Sequence, residues 1–97
     1  MYAYHELIYD LIRLDVFQKE MSFFSVGTSE LGQNIFCIKA GEGDKNVLAV
    51  SGHHSLETML SEFLMEYLFR SKEDWFSGVT LYAIPLLNPD GAEIVAG

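Results

Sequence analysis

Several things that usually direct a first reading are scarce in this sequence. Cysteine occurs once, at Cys37, so no internal disulfide can form and nothing favours an oxidising compartment. Its setting in the apolar run IFCI is that of a buried structural thiol, not a reactive one. Positive charge is sparse: Arg13, Lys19, Lys39, Lys45, Arg70 and Lys72 are the only six lysines and arginines against fourteen acidic residues, and they are scattered. A net charge of −8 without a basic patch argues against a phosphate backbone as partner, and fits a soluble, self-repelling surface. No run approaches the roughly 18 apolar residues of a membrane-spanning helix. The N-terminus, MYAYHELIYD, has neither the basic start nor the continuous apolar stretch of a signal peptide. These absences lead to the expectation of a soluble, cytoplasmic protein with no nucleic-acid or membrane partner.

What is present is globular. Of 97 residues 49% are hydrophobic and 13% aromatic, enough for one compact unit and too few for two independent cores. From Tyr4 the apolar residues Leu7, Ile8, Leu11 and Ile12 recur at helical spacing, with Glu6, Asp10 and Arg13 facing away, which predicts a first amphipathic helix. Three β-favouring runs follow, cut by Gly, Ser, Asn and Asp: Phe23 to Gly27, Asn34 to Lys39, and Val47 to Val50. The last, VLAV, is apolar without alternation, as expected of a central strand covered on both faces. Leu60, Phe63, Leu64, Tyr67 and Leu68 then form a stripe at i, i+3, i+4, i+7 and i+8, predicting a second helix that starts near Glu57 and buries this stripe. VTLYAIPLL is another strand candidate, broken by NPDG.

Helix, hairpin, strand, helix, strand is the order of an α/β unit with a mixed, partly parallel sheet flanked by helices. VLAV and YAIPLL would run parallel if they share it. With one helix between the inner strands, one sheet face would lack cover. Residues 1–97 therefore read as a single incomplete domain, the first portion of a larger one.

The stretch SGHHSLET carries the chemistry. Zinc binds imidazole nitrogen at about 2.0–2.1 Å and carboxylate oxygen at about 2.0–2.2 Å, so its ligands must converge. His54 and Glu57 are three residues apart where a strand end runs into a helix, a spacing compatible with chelation. His53, next to His54, should point elsewhere if the backbone is still extended, and reads as an orienting or structural imidazole. The location favours a ligand site, because open α/β sheets bind ligands just beyond the carboxyl ends of strands. Glu57 also suits the first turn of a helix as a dipole-compensating charge, and Ser55 could cap that helix, so a purely local role stands beside metal binding. His5, in a polar part of the first helix, reads as a solvated surface residue.

Taken in order, three segments resemble the zinc carboxypeptidase family, the metallocarboxypeptidases. A hairpin pattern G-x-S-x-x-G appears as Gly27, Ser29 and Gly32, H-x-x-E as His54 and Glu57 after VLAV, and N-P-D-G as Asn88, Pro89, Asp90 and Gly91 after YAIPLL. The resemblance implies the first portion of a zinc-carboxypeptidase-like (phosphorylase/hydrolase-like) domain. It further implies a zinc ion held by His54, by Glu57 and by a histidine much further along. In such enzymes the metal and a distant general-base glutamate activate water for attack on an amide carbonyl, and arginines grip the substrate's terminal carboxylate. The implied substrate is the C-terminal amide bond of a peptide or a murein-derived peptide. No histidine follows His54 and no arginine follows Arg70, and Glu93, close after NPDG, does not match the base. No catalytic residue is therefore assigned in this chain, which alone is expected to be inactive. Two other readings are a metal-dependent deacylase of N-acyl amino acids and a non-catalytic module that self-associates as a homo-oligomer.

Overall fold

The computed structural model describes residues 2–53 and 58–91. Helix α1 spans Tyr4–Phe17. Its entry is closed by Glu6, which accepts a hydrogen bond from the Ala3 N–H at 3.1 Å; Ala3 has no side-chain acceptor to return the bond, so this is half of a capping box. Strands β1 (Ser22–Thr28) and β2 (Asn34–Ala40) form an antiparallel hairpin whose register shifts between Ser25 and Gly27. Strand β3 (Lys45–Val50) leads to α2 (Thr58–Arg70), a single turn of 3-10 helix (Glu73–Phe76) and β4 (Val79–Ile84).

The sheet order is β1-β2-β4-β3. Strand β4 pairs antiparallel with β2 and parallel with β3, Val47 opposite Leu81 and Ala49 opposite Ala83. The mixed, partly parallel α/β sheet expected from the sequence is present, and so are both helices and all four strands; β1, β2 and β3 extend a little beyond the predicted limits, whereas β4 ends at Ile84, short of the full VTLYAIPLL run.

Three expectations of burial fail, each for a reason of topology. VLAV is not central. Because β4 inserts between β2 and β3, the Val79–Ile84 strand takes the inner position and β3 lies at the edge, with Leu48 63% exposed and Val47 46%. An apolar run reports hydrophobicity, not which neighbour arrives later in the chain. In α1 the buried set is Leu7, Leu11 and Leu14, whereas Ile12 is exposed. In α2 the predicted stripe is split: Leu68 is buried and Leu64 packs against the core as expected, but Leu60, Phe63 and Tyr67 are exposed, and Ser61 and Met65 are buried in their place. The helix is apolar on two faces, and the inward one carries a small residue, Ser61, beside Gly52.

The core lies between the helices and one sheet face. Leu7, Leu11 and Leu14 meet Ile38 and Ala40 of β2, Leu81 and Ala83 of β4, and Met65 and Leu68 of α2. Phe23 and Phe36 add an edge-to-face pair with centroids 5.8 Å apart. Alternation puts Phe24 and Leu48 on the opposite face, where both are exposed among the described residues. Cys37 is buried as expected, and burial pushes its thiol pKa up. Gln18 ties the first helix to the second: its side-chain amide donates to the carbonyls of Leu68, Phe69 and Ser71 at 3.2, 3.1 and 3.0 Å. Among the described residues no helix is long and apolar enough to cross a membrane.

Candidate functional site

The parallel pair β3 and β4 end side by side, and their continuations are bonded together. Ser51 N–H donates to Ile84 O at 3.0 Å, Leu87 N–H to Ser51 O at 3.0 Å, and Asn88 N–H to Gly52 O at 2.8 Å. The Ser51 hydroxyl donates to Pro85 O at 2.8 Å. Gly52 has φ of 73°, and a Cβ there would come within 2.9 Å of Leu86 and 2.8 Å of Ser61 Oγ. The backbone at Ser51 and Gly52 is thus fixed in place, at Gly52 by a conformation and a close approach that only glycine meets without strain.

Two sequence motifs converge here that no spacing rule connects. Asp90 of NPDG accepts from the Ser29 hydroxyl at 2.6 Å and from the Leu31 N–H at 3.1 Å, so one carboxylate holds the β1–β2 loop. Ser29 Oγ also accepts from the Gln33 N–H at 3.0 Å, and the Gly32 N–H donates to Ser29 O. Asn88 closes the other motif by accepting from the Gly91 N–H at 2.9 Å. A shallow, solvent-open cavity of about 460 Å³ lies between them, lined by Ser29, Ile35, His53, Leu87, Asn88 and Asp90. The sequence offered Ser29 and Asp90 as separate motif members; their mutual bond, across 61 positions, is visible only in the fold.

His53 is exposed at the rim of this cavity. His54 and Glu57, the expected metal ligands, lie outside the described residues, as do Ser55 and Glu93. Among the described residues no three His, Cys, Asp or Glu side chains converge as a metal site would require. One buried polar atom nevertheless bears on such a site. Ser61 is fully buried beside Gly52, and its hydroxyl has no hydrogen-bond partner among the described residues.

A larger cavity, about 740 Å³, lies elsewhere, between α1 and α2. It is filled at one end by Arg13, whose guanidinium sits 5.5 Å from the Tyr9 ring centroid and 5.2 Å from that of Phe69, with Asp10 at 3.7 Å. Tyr2 donates to Asp10 at 2.6 Å, and burial, then that acceptor, drives the phenol pKa upward. These groups are already bonded to one another, so size alone does not make this groove the better candidate.

No family model and no curated protein sequence matches the chain. Solved structures do. A metallo-carboxypeptidase from Pseudomonas aeruginosa, in complex with (2-guanidinoethylmercapto)succinic acid, aligns over 94% of this chain and 27% of its own, with TM-score 0.75 and 22% identity. Carboxypeptidase A from Helicoverpa armigera aligns over 98% and 26%, with TM-score 0.76 and 20% identity. Bovine thrombin-activatable fibrinolysis inhibitor, solved with tick carboxypeptidase inhibitor, aligns over 97% and 33%, with TM-score 0.80 and 11% identity. The chain spans about a quarter to a third of the length of these proteins, and at such identities the likeness is one of fold: residues 1–97 have the fold of a portion of a metallocarboxypeptidase chain.

Proposed function

We propose that this chain is the first portion of a zinc-dependent carboxypeptidase-like hydrolase, cytoplasmic, that cleaves the C-terminal amide bond of a peptide or murein-derived peptide. The observation that carries the reading is the place of Ser51, Gly52 and His53, the residues that lead into the H-x-x-E motif, directly beyond the carboxyl ends of two parallel strands in a fold shared with metallocarboxypeptidases. His54 and Glu57 would hold the zinc ion. Bound zinc supplies Lewis-acid polarisation of a carbonyl and a lowered pKa for water. The chain's own part is positional: Ser51, Gly52 and Asn88 fix the approach to His54, and Asp90 with Ser29 holds one wall of the cavity. Two protein ligands make a weak site, so the 97 residues alone are expected to bind zinc poorly and to lack turnover.

The test is zinc titration of the wild type and of His54→Ala, followed by assay of the full-length protein on peptides and on N-acyl amino acids. Zinc affinity lost in His54→Ala and peptide cleavage by the full-length protein support the reading. Equal affinity in both chains removes His54 from the site, and turnover of acyl amino acids without peptide cleavage replaces the carboxypeptidase by a deacylase. A second reading, self-association of the isolated chain as a homo-oligomer, is favoured by the open β3 edge and the outward apolar stripe of α2.

A further inference from the structure

The groove between α1 and α2 has two electrical poles. The Gln18 amide, at the end of α1, bonds the end of α2, so the helices lie side by side with their C-terminal ends together. Phe69 is therefore level with Arg13, and Glu62 with the first turns of α1. The buried Tyr2 phenol marks the acidic pole: its pKa is driven upward by burial, by its bond to Asp10, and by the charges of Asp10, Glu6 and Glu62, which gather around it. Asp10 is engaged there by the Tyr2 hydroxyl, whereas Glu6 uses only its Oε1, on the Ala3 N–H, and Glu62 has no bonding partner among the described residues. At the other pole the Arg13 guanidinium is held between the Tyr9 and Phe69 rings, at 5.5 and 5.2 Å. Its contact with Asp10, 3.7 Å, is longer than a hydrogen bond, so its planar fork is oriented with its donors unused.

These poles decide the ligand. A lone anion would meet the carboxylates of Glu6, Asp10, Glu62 and Glu66 in a chain of net charge −8, and a lone cation would meet Arg13. Among the described residues no three ligating side chains converge for a metal ion. A molecule with an ammonium at one end and a carboxylate at the other satisfies both poles. Glu6 and Arg13 are two turns apart along one face of α1, which is about 10 Å. An extended peptide advances about 3.3–3.6 Å per residue, so about three residues span that distance. The cavity, about 740 Å³, has the size of a small-ligand site, and Tyr9, Met65 and Phe69 offer apolar wall to the ligand's side chains. We infer that the α1–α2 groove binds a short peptide of about three residues with both termini free, its ammonium between Glu6 and Glu62 and its carboxylate on the Arg13 guanidinium. The site shares no residue with the cavity beyond β3 and β4 and is independent of the zinc reading.

The experiment titrates the 97-residue chain at low salt with trialanine, N-acetyl-trialanine and trialanine amide, following backbone amide signals by NMR into the millimolar range. Trialanine is expected to shift signals of α1 and α2 along the groove, and each blocked peptide to bind about ten-fold more weakly or worse. Arg13→Gln should abolish the preference for trialanine over its amide and keep the preference over the acetylated form. Glu62→Gln should do the reverse, reducing only the preference for the free amine; its side chain is exposed and outside the core, so this variant decides the matter even if Arg13→Gln does not fold. Equal binding of the three peptides, no shift in the groove, or terminal preferences unchanged in the variants overturns the proposal. Shifts confined to Ser51–His53 and Asn88–Asp90 also overturn it, and leave the hydrolase reading standing.

Discussion

Asp90 makes two bonds that join the last described segment of the chain to the β1–β2 loop. Both are charge-assisted, at 2.6 and 3.1 Å, and the carboxylate is only partly exposed. Removing it leaves the exposed Leu31 N–H to water and takes from the part-buried Ser29 hydroxyl its acceptor. Asp90→Ala should therefore destabilise the chain by about 1–2 kcal/mol. Ser29→Ala removes one of the same two bonds, so the pair should be non-additive by about 1 kcal/mol in a double-mutant cycle read by urea unfolding. Asp90→Asn is the finer probe, since its carbonyl oxygen can serve one of the two donors and its amide nitrogen neither, and it should fall between wild type and alanine. Full additivity of Ser29→Ala and Asp90→Ala would show that the loop is held by something else.

At the scale of elements the governing contact is between helix ends. The last carbonyls of α2 have no partners within the helix, and the Gln18 amide supplies a donor to three of the oxygens there from the end of α1. Gln18→Ala should cost about 1–2 kcal/mol with an unchanged denaturant slope. Gln18→Glu should cost more, because it replaces the donor by a negative charge facing carbonyl oxygens at the negative end of the helix dipole. A glutamate variant as stable as wild type would contradict this assignment. Periodicity and turn residues were sufficient to place both helices, every strand and the parallel pairing, because those signals are local. Which face of α2 turns inward was only half legible: Leu64 and Leu68 of the predicted stripe do meet the core, but Met65 and Ser61 join them instead of Leu60, Phe63 and Tyr67, and Ser61 sits beside Gly52, a contact between residues nine apart whose side chains are too small to register as hydrophobic. The edge position of VLAV was hidden for the same kind of reason, since the strand that displaces it comes 29 or more residues later. At the candidate site the motif members could be named from the sequence, whereas the Ser29–Asp90 bond depends on the sheet order β1-β2-β4-β3 bringing the first hairpin near the end of β4.

The whole molecule is compact without being closed. Its radius of gyration, 13.0 Å, matches the roughly 13 Å expected of a folded domain of 100 residues. Yet among the described residues one sheet face shows Phe24 and Leu48 to solvent, β3 has an edge that pairs with no further strand, and α2 presents Leu60, Phe63 and Tyr67 outward, Tyr67 stacking at 5.4 Å on the half-exposed Trp75. An apolar edge strand is a template for another strand, and large apolar side chains exposed at several places invite association. Net charge of −8 opposes association through long-range repulsion, but that term is screened beyond about 8 Å at physiological salt, while apolar contact is not. The isolated chain is therefore expected to associate, more strongly as salt is raised. Leu48→Lys places a charge on the edge strand and Phe63→Glu one on the outward stripe; neither side chain belongs to the buried core, so both should leave the melting temperature of the monomer within about 0.5 kcal/mol of wild-type stability. Sedimentation velocity across a concentration series at low and physiological salt should show wild type shifting to larger species and the double variant remaining monomeric. A wild-type chain that sediments as a single monomeric species throughout, with a cooperative melt, would mean that one covered sheet face suffices to hold this fold.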